Sequence, residues 1–370
     1  MQITSVEPFH FRMPLERPIS DARNTITERS TVLVRVETDE GLLGWGEAAS
    51  FVRSGELVSQ VIRHFADQLR GQDATTPSLH YERLFHGSQH FGRRGLVVSA
   101  LSGIDVALWD ILGKWAGLPV RNLLGGGGDV RAYYNAGYYT DDHREFLEES
   151  LRFVCDSGVG AAKIKLGRHG FEDDAWRIRT AREILGPSRD FMVDANASLT
   201  AREVVHLDEV MCAARVRWVE EPVRLVGVEA LRELRANLRT PVAGYELEMT
   251  LDGWAPLISG RAVDIAQPDA IWSGGITECA RIAALCTAHA IEFIPHNFAS
   301  LVGLAANAHL ASAAPTGGWL EVDSNTNPFL WELDTQQRWG LAGGLINIPD
   351  APGLGVEPDL ARIEKYRVQP

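Results

Sequence analysis

The chain has 370 residues, 36 basic and 49 acidic, for a net charge of −13, with 45% hydrophobic and 23% charged positions. That balance belongs to a folded globular protein and excludes a disordered or low-complexity chain. The acidic excess argues against nucleic acid or an anionic membrane surface as partner, and an anionic substrate would need a local cationic centre to overcome the global field.

At this length the expectation is one large barrel-type domain with a smaller companion. The start, "MQITSVEPFHF", lacks the basic residues and apolar run of a signal peptide. Cys155, Cys212, Cys279 and Cys286 lie in helix-patterned stretches without CxxC spacing, which predicts reduced, buried thiols in a cytoplasmic protein. Residues 31 to 47, "TVLVRVETDEGLLGWGE", alternate apolar and polar positions around Asp39-Glu40-Gly41 and predict a hairpin. Helical periodicity follows from about Leu57 to Leu69. It returns in "LVVSALSGIDVALWDILGKWAG", where Asp105, Asp110 and Lys114 mark an amphipathic or buried helix rather than a membrane span. This first third reads as α+β, and "GGGGD" at 125–129, with no GK[ST] or GxGxxG after it, reads as a linker. The spacing therefore places an α+β capping domain at 1–125, a barrel at 126–340, and a last stretch from about 340 to 370 that returns to the capping domain.

Beyond Arg131 short apolar runs alternate with amphipathic stretches. Candidate strands are "RAYYNAGYY", "AAKIKLG", "FMVDAN", "VRWVEEP", "PVAGYE", "AVDIAQPDA", "EFIPHN" and "WLEVD"; Thr200 is a candidate helix N-cap between two of them. A βα unit of a (β/α)8 barrel occupies about 30 residues, so this α/β pattern predicts such a barrel. Its chemistry belongs at the carboxyl ends of the strands. Strands two to eight end in Lys165, Asp194, Glu220, Glu246, Asp269, His296 and Glu321, with successive numbers 29, 26, 26, 23, 27 and 25 apart. Each interval is about one repeat, so these side chains converge on one mouth, as an active site requires.

Lys163 and Lys165 share one strand face, where each disfavours protonation of the other. Asp194, Glu220 and Glu246 form an oxygen-only set suited to a hard divalent cation, magnesium being the natural choice. Glu221 and Glu248 remain open as substitutes for their neighbours. His296 with Asp269 one repeat earlier makes an acid/base pair. Lys165 and His296 would then flank the metal, so a bound carboxylate meets a base on each face, and its α-proton is acidified because the enediolate gains charge where the cation stabilises it. Glu321, if protonated, and Lys163 are candidate donors to that charge; Asn196 is a candidate substrate contact or a turn residue.

These residues resemble the enolase superfamily and, within it, the mandelate racemase subgroup: the KxK of strand two, "DAN", "EEP", the Asp and His of strands six and seven, and the Glu of "WLEVD". The resemblance implies a modified TIM barrel under a capping domain whose loops near Pro18 to Asn24 and Ala48 to Ser54 close the site. It also implies Lys165 and His296 as acid/base catalysts, Asp269 as partner of His296, Glu321 as electrophile, and Asp194, Glu220 and Glu246 as Mg²⁺ ligands. The family often writes its third ligand as "GEN", where this chain has "GYELE", leaving Glu246 and Glu248 as alternatives. Most members with both lysine and histidine act on sugar acids, most commonly by dehydration. Racemisation of a 2-hydroxy acid uses the same groups, and the ending "NPF…IPDAPGLGVE" is similar to that of sugar-lactone cycloisomerases. A sugar-acid binding protein without catalysis would require a damaged acid/base set, and none is visible. By analogy with the family, a homo-oligomer acting on a small carboxylate is expected.

Overall fold

A computed structural model of the chain describes residues 1–51 and 53–369. Three antiparallel strands, β1 (Ile3–Ser20), β2 (Thr25–Thr38) and β3 (Leu43–Ala48), form one sheet in the order β1-β2-β3. The β2–β3 pairing, from Glu37 opposite Leu43 to Val32 opposite Ala48, is the expected hairpin. The long β1 has no clear signature in sequence, because Pro8, Pro14 and Pro18 interrupt its alternation. An edge strand tolerates them, since a missing N–H can face outward, and the pairing register shifts between Pro14 and Ile19.

Helices α1 (Gly55–Leu69), α2 (Pro77–Ser88) and α3 (Leu96–Ala116) cover this sheet, and the short α4 (Val120–Leu123) leads out of it. Helix α3 is long and apolar enough to cross a membrane by length and composition, but 83% of the window is buried within the fold. Its acids explain why. Asp105 accepts from the Thr277 backbone N (2.9 Å) and hydroxyl (2.6 Å), and Asp110 accepts from Trp45 N (2.9 Å) and Leu354 N (2.7 Å). The "GWG" of β3 lies against α3, where a Cβ on Gly44 or Gly46 would strike the helix backbone at Ala107 or Gly103.

The remainder alternates strand and helix: β4 (Arg131–Asn135), α5 (His143–Ser157), β5 (Ala161–Lys165), α6 (Phe171–Leu185), β6 (Asp190–Asp194), α7 (Ala201–Ala213), β7 (Val219–Glu220), α8 (Val228–Ala236), β8 (Val242–Gly244), α9 (Thr250–Ser259), β9 (Ile265–Ala266), α10 (Gly275–His289), β10 (Glu292–Phe293), α11 (Leu301–Ala313) and β11 (Trp319–Asp323). Parallel ladders run β4 to β10 in sequence, and β11 pairs with β4, which brings the ends of the sheet round into a barrel. Thr200 caps α7 in a reciprocal box with Glu203. Cys155, Cys212, Cys279 and Cys286, all on helices, are free. The tail divides: the hairpin β12 (Gly340–Ala342) and β13 (Leu345–Asn347) adds to β4, whereas Arg367 bridges to Phe11 and Val368 N donates to His10 O.

The two parts are joined by buried polar groups as well as by a shared apolar core. Glu47, at the end of β3, accepts from Thr31 Oγ1 (2.8 Å), Ser300 Oγ (2.5 Å), Ser300 N (3.1 Å) and Gly303 N (2.9 Å), so a capping-domain carboxylate closes the N-terminus of α11. His309, within α11, accepts from Arg121 N through Nδ1 (3.1 Å) and donates from Nε2 to Leu354 O (3.2 Å). The first contact requires the neutral ring, because only an unprotonated Nδ1 can accept.

Two outcomes are expected. Glu47→Ala leaves buried donors unpaired on both sides of the junction and should lower unfolding free energy by about 3–5 kcal/mol, measured by chemical denaturation. Burial pushes His309 down from 6.5 to about 4. The unfolded chain therefore binds the proton first, and the stability from the neutral ring is complete above pH 6.5 and lost as pH falls toward 4, a change on the order of 3 kcal/mol. Denaturation curves of the wild type minus those of His309→Gln isolate this term; parallel pH profiles for the two proteins would contradict it.

Candidate active site

Alternation of side chains along each strand decides which residues meet inside the barrel. Tyr133, Ala161, Met192, Trp218, Ala243, Ile265, Ile294 and Trp319 pack together as one buried layer with a member from each strand or its extension. Two residues further toward the carboxyl ends, the same inward face presents Asn135, Lys163, Asp194, Glu220, Gln267, His296 and Glu321. Lys165 and Asp323 stand one step higher on their strands. Strand β8 breaks the count: its ladder ends at Gly244, whose φ is +136°, and Glu246 rather than residue 245 turns toward His296. Glu246, Asp269 and His296 thus lie just past their ladders rather than within them.

The resulting contacts form three linked groups. Lys163 Nζ lies 2.5 Å from Glu220 Oε1, 3.0 Å from Glu321 Oε2 and 3.8 Å from Asp194 Oδ2. Lys165 Nζ donates to Asp194 Oδ2 at 2.6 Å. His296 has Nδ1 2.9 Å from Asp269 Oδ2 and Nε2 3.3 Å from Glu246 Oε2. Asp269 is itself held, its Oδ1 accepting from Asn307 Nδ2 (2.8 Å) and Ile271 N (3.0 Å), so the imidazole is oriented from behind.

These pairings set the protonation preferences. Burial depresses the His296 pKa, but Glu246 and the Asp269 hydrogen bond outweigh it and push it up to about 10. Both lysines are raised as well: burial acts downward, and Glu220 and Glu321 around Lys163, and Asp194 beside Lys165, act upward more strongly. Lys163 does lower Lys165, as expected, but the expected net direction is corrected: the carboxylates beside each lysine outweigh burial and the neighbouring amine. Burial raises Glu220 to about 7 against the pull of Lys163, and it raises Glu246 against that of His296. The charges of His296, Asp194, Lys165 and Lys163 all act on Glu246, so the groups share one electrostatic site.

Sequence reading left three positions open. Glu248 is turned to the capping domain, 2.5 Å from Arg94 Nη1 and accepting from Met249 N, and stands apart from the cluster. Glu221 is buried with Glu246, Asp194 and Glu220 around it, and burial together with their charge raises its pKa well above the usual carboxylate range. Asn196 is a turn residue with φ 43° whose N donates to Asp194 Oδ1; its side chain is partly buried, with Oδ1 left without a partner. Asn135 and Gln267 had been missed. Gln267 donates to Glu220 Oε2 at 2.8 Å, and counting by two from the apolar residue of each strand would have found both.

Capping loops reach this mouth as expected. Arg168 holds the Asp21 carbonyl (2.9 Å), and Phe51 stacks on Trp272 (5.0 Å) and Phe298 (6.0 Å); Val52, within the second loop, lies outside the described residues. Among the described residues, Asp194, Glu220, Glu221, Glu246, Asp269, Glu321 and Asp323 gather with Lys163, Lys165, His296 and Arg29, so carboxylates outnumber cations even when all the cations are protonated. Among the described residues no three acidic, histidine or cysteine groups stand in a coordination shell, because the amines and the imidazole lie between them. The buried, oxygen-only surplus nonetheless fits a hard divalent cation as further counter-charge.

Residues 3–125 match the family Mandelate racemase / muconate lactonizing enzyme, N-terminal domain, and residues 145–362 match Enolase C-terminal domain-like. The chain is 33% identical to D-galactarolactone cycloisomerase of Agrobacterium fabrum, over 100% of this chain and 99% of that one. It is 30% identical to arabinonate dehydratase of Saccharolobus solfataricus, over 91% and 90%. A solved structure of an L-talarate/galactarate dehydratase variant liganded with Mg and L-glucarate superposes with a TM-score of 0.90 at 29% identity, covering 100% of this chain and 92% of that one. With both parts of the chain matched and the fold shared throughout, the protein belongs to the mandelate racemase/muconate lactonizing enzyme family of the enolase superfamily.

Proposed function

We propose that the chain is a magnesium-dependent enzyme that removes the proton α to the carboxylate of a sugar acid and expels the β-hydroxyl, giving a 2-keto-3-deoxy acid. The observation that carries this reading is the placement of two cationic groups on either side of the buried carboxylates: Lys165 from β5 and the Asp269-held His296 after β10, with β6 to β9 between them in the sheet. Asp194, Glu220 and Glu246 would hold the cation, which when bound supplies positive charge at the substrate carboxylate and so acidifies the α-carbon. Lys163, aimed between Glu220 and Glu321, adds a positive charge where negative charge develops. With Asp194 engaged as a ligand, the largest upward influence on Lys165 is drawn off, and burial with the nearby Lys163 charge acts toward the free amine against the smaller upward pull of Tyr138 and Glu321. His296, whose protonated ring the Asp269 hydrogen bond favours when Glu246 is engaged as a ligand, is the acid that meets the departing hydroxyl.

A second reading, ring opening of a sugar-acid lactone, is favoured by the full-length similarity to a lactone cycloisomerase. It uses the same proton abstraction with the ring oxygen as leaving group. Four free cysteines support a cytoplasmic setting, and a symmetric homo-oligomer is proposed by analogy with the family.

Incubation with Mg²⁺ and a panel of sugar acids and lactones in D₂O should yield keto acid and α-deuterated substrate. Lys165→Ala and His296→Ala should each abolish exchange from one face, lowering turnover by about 10²-fold or more, while leaving circular dichroism unchanged. Full activity in either variant removes that residue from the mechanism. Calorimetric titration with Mg²⁺ should find Glu246→Gln weakened by about tenfold or more and Glu248→Gln close to wild type, since Arg94 holds Glu248 elsewhere; equal losses would reassign the ligand.

A further inference from the structure

The proposed acid/base and metal groups leave one flank of the mouth unexplained. Beside β11 and the loop after β10, three residues keep buried polar atoms without hydrogen-bond partners: Arg29 Nε, Asn297 Oδ1 and Glu321 Oε1. Arg29 comes from β2 of the capping sheet, is 5% exposed, and lies over the Phe298 ring with Cζ 4.0 Å from its centroid. It forms an ion pair with Asp323 through Nη2 and Oδ2, so the charges match and that oxygen is covered while Arg29 Nε stays open. Asp323 lies two residues beyond Glu321 on the inward face of β11, with Oδ1 already occupied by Asn325 N (3.1 Å) and Nδ2 (2.9 Å). Asn297 donates to the Glu321 carbonyl at 3.1 Å, which leaves its Oδ1 as the free acceptor.

Tyr138 ties this flank to the catalytic one. Its ring lies 5.2 Å from Lys165 Nζ and 6.4 Å from the Phe298 ring that carries Arg29, and its phenol feels the charges of Lys165, Asp323, Arg29 and Glu321 together. Buried polar atoms are rarely left unpaired, so three at one place point to a ligand that completes them. The chemistry of that ligand follows from the inventory. Two of the open atoms are acceptors, one of them on a carboxylate, and the one cation already has Asp323 as counter-charge. A second substrate carboxylate has no proton to donate and would be repelled; hydroxyl groups donate to the acceptors and accept from Arg29.

We propose that this flank is the subsite for the far end of the substrate, and that it selects sugar acids with a single carboxylate and a neutral, hydroxyl-bearing tail over the corresponding diacids. Asp323 is the specificity-determining residue, because it cancels the Arg29 charge that a second carboxylate would otherwise use. The inference rests on the sugar-acid reading given above.

The test is equilibrium binding of the Mg²⁺-loaded protein to six-carbon aldonates and to the aldarates of matching configuration, with α-deuterium exchange measured on the same mixtures. The wild type should bind the best aldonate at least about tenfold more tightly than its aldarate, and Asp323→Asn should shift that ratio toward the aldarate by about tenfold or more. Aldarates bound as tightly as aldonates by the wild type overturn the inference while exchange keeps the reaction assignment intact. An unchanged ratio in a folded Asp323→Asn variant also overturns it. Should that variant fail to fold, Arg29→Met provides the second arm: it must weaken aldonate binding without gaining aldarates. Absence of both binding and exchange across the panel overturns the sugar-acid reading and this inference together.

Discussion

Carboxylates buried without counter-charge are strongly destabilising, and the mouth of this barrel gathers seven carboxylates, six of them buried and Glu246 partly so. Every other feature of the site answers to that constraint. Lys163 and Lys165 project from one face of β5 into the carboxylates of β6, β7 and β11, and His296 is wedged between Glu246 and Asp269. Beneath them the apolar layer of one side chain per strand closes the barrel, so the charged groups are screened from water from below and must be satisfied by one another or by a cation. A site of this kind is preorganised, since its electrostatic environment exists before substrate arrives.

The same constraint joins the capping domain to the barrel. Glu47 and Asp105 are buried carboxylates of the N-terminal part, and the first finds donors on α11 while the second finds them at the start of α10. Asp110 does likewise for the C-terminal tail through Leu354 N. These contacts are directional, unlike the shared apolar core, and they fix where β2 and the loop carrying Phe51 stand over the mouth. Arg29 reaches Asp323, and Phe51 reaches Trp272 and Phe298, because that docking geometry is set elsewhere. The lysines, the imidazole and the carboxylates around them thus come from the barrel alone, whereas Arg29 and Phe51, which stand over the mouth, come from the cap.

Much of the architecture was legible along the chain. Intervals of 23 to 29 residues between polar strand ends marked the barrel, since a βα unit has a nearly constant length. The β2–β3 hairpin, the buried helix α3 and the Thr200 cap followed from local pattern, where neighbours in sequence are neighbours in space. Strand β1 and helix α2 did not. The former is crossed by prolines that only an edge position accommodates, and edges are a property of the sheet. Asn135 and Gln267 escaped because each is an uncharged amide, and their roles appear only once Tyr138 and Glu220 are placed beside them.

What the sequence determined by itself was the supply and spacing of chemistry: which ionisable groups exist, that they recur once per repeat, and that alternation turns Lys163 and Lys165 the same way. Only the tertiary structure decided which partner each one meets. It sent Glu248 to Arg94 and Glu246 to His296, placed Glu221 among three other carboxylates, and reversed the expected direction for the lysines. The reason is that charge interactions depend on distance and burial, which periodicity along a chain constrains only to the nearest face.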